Sequence, residues 1–205
     1  MRMRIVSAPE CRGWLDDGRI LEKDDRGPKV VLLAGGQILK IFYARRWHHR
    51  LLYRLRPPAR QFVRNHGCLQ QLGIRVPDIL ESCWLAPGLS ACRYQLLPGQ
   101  SLERLFHETP GQLEALLPRL AALIARLHAG GIYFRSLHLG NILHLPDGQF
   151  GLIDFLDLQQ KHRPLQPDEV RRNFRHLENH LQRNHLDGFP LAALLEHYRQ
   201  RVASA

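Results

Sequence analysis

Asn141 and Asp154 are the residues of this 205-residue chain whose types and spacing most directly suggest chemistry. An amide oxygen beside a carboxylate suits Mg²⁺, which takes a few protein oxygens and completes its shell with water and substrate phosphates. Ser136 and His138 precede them in Phe134-Arg135-Ser136-Leu137-His138-Leu139-Gly140-Asn141, and Asp154 opens Asp154-Phe155-Leu156-Asp157. A serine hydroxyl is not a base near neutral pH. Residues able to take over part of any proton handling there are His138 and Asp157.

The elements that must position these residues can be read from the sequence. Residues 141–145 form a short apolar strand and residues 150–153 a second. Between them Pro146-Asp147-Gly148 has turn chemistry, with proline presetting φ and glycine accepting positive φ. A hairpin thus brings Asn141 and Asp154 to one end of a two-stranded ribbon. Upstream, residues 29–33 and 37–42 are β-branched runs joined at Ala34-Gly35-Gly36, with Lys40 inside the second. Residues 19–23 read as the strand before them, and Asp24-Asp25-Arg26-Gly27-Pro28 as the intervening turn. Pro57-Pro58 then starts a helix over 59–72 that carries no acidic residue, with Gly73 just past its end.

A turn-rich break at Leu97-Pro98-Gly99-Gln100 divides the chain into 1–97 and 98–205. Ser101 caps a short helix to Phe106. Leu113, Leu116, Leu117, Leu120, Ile124 and Leu127 then form a helical stripe that ends at Gly130-Gly131. Pro118 lies in the stripe and is expected to start or kink the main helix. After Asp157 a short Pro-rich connector leads to Val170, Phe174, Leu177 and Leu181 at helical spacing, and a last helix covers 191–202.

Charge is concentrated. Lys+Arg of 29 against Asp+Glu of 19 gives +10, and no acidic residue lies between Asp25 and Asp78. Arg46, Arg50 and Arg54 recur every four residues, and Trp47, Leu51, Leu52 and Leu55 share the other side. A basic amphipathic helix with a Trp suits an anionic membrane surface. No nucleic-acid-binding motif accompanies it, so nucleic acid is not expected as a partner. No apolar run reaches the roughly 18 residues that span a bilayer, and the first residues lack the apolar region of a signal peptide. Four scattered Cys suit reduced thiols in a cytosolic protein. His176 and His180 share a helix face without H-E-x-x-H, so surface histidines are expected there.

The ordered set resembles the bacterial lipopolysaccharide core kinase family, which includes Kdo and heptose kinases and toluene-tolerance-like relatives. The resemblance runs from about residue 19 to about residue 160. It rests on Gln37-Ile38-Leu39-Lys40, Leu72-Gly73-Ile74-Arg75-Val76-Pro77, Ala125-Arg126-Leu127-His128-Ala129-Gly130-Gly131, Ser136–Asn141 and Ile153–Asp157. It implies an α+β, two-lobed protein-kinase-like fold, with an antiparallel-sheet N-lobe and a mainly helical C-lobe. It also implies ATP, Mg²⁺ and a sugar hydroxyl of a lipid-linked core oligosaccharide as acceptor, at the cytoplasmic side and peripheral to the inner membrane. Lys40 would hold the nucleotide's phosphates, Asn141 and Asp154 the metal, and Asn65 stands where the lysine's glutamate partner would be. The position of the catalytic aspartate holds Ser136, and Ser136→Asp is expected to raise turnover. His138 commonly ties this loop together. Two functions follow: an atypical, slow ATP-dependent sugar kinase, or a pseudokinase that binds nucleotide or acts as a scaffold in envelope biogenesis.

Overall fold

The computed structural model describes residues 3–43, 53 and 55–204. The basic run with Arg46, Arg50, Arg54, Trp47, Leu51 and Leu52 lies outside them. The fold is α+β. The chain forms two compact units, Met1–Gly67 with Pro77–Leu97, and Cys68–Val76 with Pro98–Ala205. A single boundary at Leu97 would leave Cys68–Val76 in the first unit. Its contacts place it in the second: the Leu152 N–H donates to the Arg75 carbonyl at 2.9 Å, and Cys68 Sγ donates to Gln160 Oε1 at 2.8 Å.

The first unit contains β1 (Arg4–Ile5), α1 (Ala8–Asp16), β2 (Arg19–Asp24), β3 (Gly27–Leu33), β4 (Gln37–Tyr43), most of α2 (Pro58–Gln71), β5 (Ile79–Ala86) and β6 (Leu89–Gln95). Its sheet runs β1-β5-β6-β4-β3-β2. The sheet is not wholly antiparallel: the edge strand β1 pairs with β5 in parallel, Arg4 opposite Cys83. Ser7 Oγ accepts the Glu10 N–H and starts α1 right after that strand. Val6, Val31, Leu39, Ile41, Cys83 and Ala91 form one buried cluster. Phe62 of α2 packs against Phe42 and Tyr94 with ring centroids 5.8 Å apart in both pairs.

The second unit adds β7 (Gln100–Ser101), α3 (Leu102–Glu108), α4 (Pro110–Ala129), β8 (Ile132–Phe134), β9 (Ile142–His144), β10 (Phe150–Leu152), β11 (Leu158–Gln160), α5 (Pro167–Arg183) and α6 (Leu191–Ala203). The α4 helix starts at Pro110, not Pro118, and Pro118 sits on its exposed side. A proline inside a helix costs about 3 kcal/mol. Burying each of Leu113, Leu117, Leu120, Ile124 and Leu127 on both sides of it contributes about 1.5–3 kcal/mol, which outweighs that cost. Gly131 has φ 72, and a Cβ there would lie 2.4 Å from the Lys161 and Arg163 carbonyls. Only glycine lets the chain turn so close to the residues just past the strand that follows Asp157. That strand, β11, pairs antiparallel with β8, where the sequence pattern suggests only a connector.

A buried polar chain fixes β8. Asn173 Nδ2 donates to the Phe134 carbonyl at 2.6 Å, and Asn173 Oδ1 accepts from His128 Nε2 at 2.9 Å. The Tyr198 hydroxyl donates to His128 Nδ1 at 2.8 Å. Asn173→Ala strands a buried N–H and a buried carbonyl, each costing about 1–3 kcal/mol. A fall in melting temperature of roughly 5–15 °C is therefore expected in a thermal scan. An unchanged melting temperature would contradict this role.

Candidate functional site

Ser136, His138, Asn141 and Asp154 come together in the second unit. Strand β8 ends at Phe134, and the loop after it reaches a 3-10 turn at Leu139–Asn141 that leads straight into β9. The β9–β10 register sets Ile142 opposite Leu152, and the Ile153 N–H donates to the Asn141 carbonyl at 3.0 Å. Asn141 and Asp154 therefore leave the same end of the ribbon. Asp154 adopts φ 52, in the left-handed region. Aspartate visits that region more readily than most residues, and such backbone often marks functional sites.

The orientation of Asn141 follows from its partners. Its Nδ2 donates to the Ser136 carbonyl at 3.0 Å and to His138 Nε2 at 3.1 Å. Both amide protons are spent, which leaves Oδ1 as the atom able to accept or coordinate. The side chain is nearly buried, with 8% of its surface exposed. Together with the Asp154 carboxylate, this donor set fits a hard divalent cation such as Mg²⁺.

His138 is held, not poised as a base. Because an amide nitrogen only donates, His138 Nε2 accepts and the ring proton sits on Nδ1, a buried atom without a hydrogen-bond partner among the described residues. Burial, followed by the neighbouring His180, pushes its pKa down to about 4. Its ring stacks on His180 at 3.9 Å with 10° between planes. Glu103 joins them, with Oε2 3.5 Å from His180 Nε2, so His180 is not a solvent histidine. One ligand atom from each of Glu103, His138 and His180 lies within 4.8 Å of the others. Face-to-face rings aim their lone pairs along parallel planes, however, whereas a tetrahedral metal needs them to converge. The cluster instead braces the loop between α3 and α5. Gly140 is part of that fit, since a Cβ there would lie 2.8 Å from Glu103 Oε2.

Ser136 has a partner that spacing alone did not reveal. Its Oγ donates to Asp157 Oδ2 at 2.7 Å. Asp157 Oδ1 is buried and without a hydrogen-bond partner among the described residues. Burial raises the Asp157 pKa, and the Ser136 hydrogen bond pulls it partly back.

Lys40 lies in the first unit, on β4 between Val30 of β3 and Cys92 of β6. Asn65 is buried on α2, and its Oδ1 accepts from Gln61 Nε2 at 2.7 Å. All four cysteines are free. Among the described residues no helix is long and apolar enough to cross a membrane. Compared with known proteins, the chain matches no family model and no curated protein.

Proposed function

We propose that this chain is an atypical ATP-dependent phosphotransferase, acting from Mg-ATP on a sugar hydroxyl of a lipid-linked core oligosaccharide. One observation carries the reading. Asp157, Ser136, Asn141 and His138 are linked by hydrogen bonds that leave the Asn141 amide oxygen able to coordinate, and the hairpin places the Asp154 carboxylate at the same end. Those two residues would hold Mg²⁺, and His138 fixes the Asn141 amide in the required orientation. When bound, the cation neutralises charge on the transferring phosphates. Lys40 is assigned to the nucleotide's phosphates on the resemblance alone. Phosphoryl transfer depends mostly on positioning and charge neutralisation, so an altered base position slows it without abolishing it. A second reading, a nucleotide-binding scaffold without turnover, draws on Ser136 in the base position and on the lack of an acidic residue in α2.

Charge supports a membrane setting for the acceptor. Arg56, Arg60 and Arg64 are exposed, the last two one turn apart on α2. Each basic side chain at an anionic surface contributes about 1 kcal/mol. This supports peripheral attachment at the cytoplasmic face of the inner membrane. The test is transfer of labelled phosphate from ATP to purified core glycolipid in anionic vesicles. The protein should label the glycolipid. Arg56→Gln, Arg60→Gln and Arg64→Gln together should lower vesicle binding by about 10²-fold while leaving the melting temperature unchanged. A folded protein that binds Mg-ATP but labels nothing would favour the scaffold.

A further inference from the structure

We infer that Asp157 is the final proton acceptor of the phosphotransfer, reached through the Ser136 hydroxyl. This rests on the phosphotransferase reading and assigns the part that the reading leaves without a residue. Ser136 fills the place of a base but cannot act as one. Its hydroxyl is committed to Asp157 Oδ2 at 2.7 Å, so its lone pairs face away from Asp157 and can accept a proton from an acceptor alcohol. A hydroxyl between two proton sites passes a proton by accepting one and donating its own.

The balance is complete. The acceptor's oxygen forms a bond to the γ-phosphorus as the bond from that phosphorus to the β–γ bridging oxygen breaks, and ADP leaves with the electron pair. The alcohol's proton goes to Ser136 Oγ, and the Ser136 proton goes to Asp157 Oδ2. Water later takes it from Asp157.

Two features of the pair fit this role better than a structural one. Among the described residues Asp157 Oδ1 has no hydrogen-bond partner in a buried setting, whereas a structural carboxylate gathers donors on both oxygens. Burial also raises the Asp157 carboxyl pKa, partly offset by the Ser136 hydrogen bond and with a smaller upward push from Asp154, so it holds a proton more readily than a solvated aspartate. The other charged or titratable groups around it are Arg135, which opposes that shift, and His176, whose Nε2 pairs with the Tyr133 hydroxyl at 2.9 Å. His138 is excluded as the acceptor because its Nε2 is taken by Asn141.

The experiment compares wild type, Asp157→Asn, Ser136→Ala and the double variant, with three readouts. Turnover of Mg-ATP, with water or glycolipid as acceptor, should fall about 10²-fold in each single variant and no further in the double, because the residues act in series. The wild-type rate should fall as pH drops through the Asp157 pKa, and this acid limb should vanish in Asp157→Asn. Without nucleotide or metal, carboxyl ¹³C NMR should find the Asp157 pKa above that of a solvated aspartate and higher still in Ser136→Ala, which removes the donor that favours the charged form. Wild-type turnover with both single variants at full rate, or with multiplicative losses in the double, would overturn the relay and leave the phosphotransferase standing. Phosphate found on Ser136 by intact mass would also overturn it, making the serine a nucleophile. No wild-type turnover with any acceptor would overturn the relay together with the activity. Should Asp157→Asn fail to fold, Ser136→Ala and the NMR shift still decide.

Discussion

Exchanging the two residues, Ser136→Asp with Asp157→Ser, is expected to give phosphotransfer at or above the wild-type rate, whereas Asp157→Ser alone loses about 10²-fold. In the exchanged protein the carboxylate stands where the acceptor alcohol would meet it directly, and the new serine is placed to donate to it, because one side chain lengthens as the other shortens at a pair now in contact at 2.7 Å. From sequence, Ser136→Asp alone is expected to raise turnover. The structure changes that expectation. A carboxylate at 136 would face Asp157 closely, and each of two such carboxyls disfavours ionisation of the other. That repulsion costs stability and raises one of the two pKa values, so the single variant should fall below the exchange and melt lower than wild type. Turnover in the exchanged protein no better than in Asp157→Ser would contradict the account, because moving the carboxylate one partner along the hydrogen bond should preserve its task.

The sequence reading and the structure agree where the determinants are local. The β9–β10 hairpin was legible because Pro146-Asp147-Gly148 fixes a turn between two apolar runs, and its register then places Asn141 beside Ile153. The β3–β4 pair was legible for the same reason. The helix Pro58–Gln71 followed from its proline start and apolar spacing. What was not legible depended on tertiary contact. The start of α4 depended on buried leucines outweighing a proline, which residue types alone do not weigh. The pairing of β1 with β5 joins residues far apart in sequence. The stacking of His180 on His138 with Glu103 beside them joins three separate elements, and no spacing rule points to it. The Ser136–Asp157 bond joins residues on either side of Asp154, whose positive φ aspartate adopts only occasionally and the sequence does not announce. A short strand such as β11, with one buried residue in three, carries too little pattern to detect.

Asp154→Ala is expected to abolish metal-dependent nucleotide binding. Removing even an outer partner of a metal ligand costs about 10–100-fold in metal affinity, so removing a ligand should cost at least about 100-fold. Asp154 also holds φ 52, a conformation that alanine tolerates poorly, so Asp154→Ala is expected to melt lower than wild type without ligand. Asp154→Asn serves as the companion variant: asparagine accepts the left-handed backbone and keeps one oxygen but loses the charge. It should retain the wild-type fold and bind Mg-ATP weakly.

The most direct measurement is melting of the wild type and both Asp154 variants with ATP, with Mg²⁺ and with both. Ligand at 100 times its Kd stabilises the folded state by about 2.7 kcal/mol, a rise of roughly 5–10 °C for a chain of this size. The account predicts that rise in the wild type only with ATP and Mg²⁺ together, a small rise in Asp154→Asn and none in Asp154→Ala. A folded wild type that shows no rise, or an equal rise in Asp154→Ala, would contradict it.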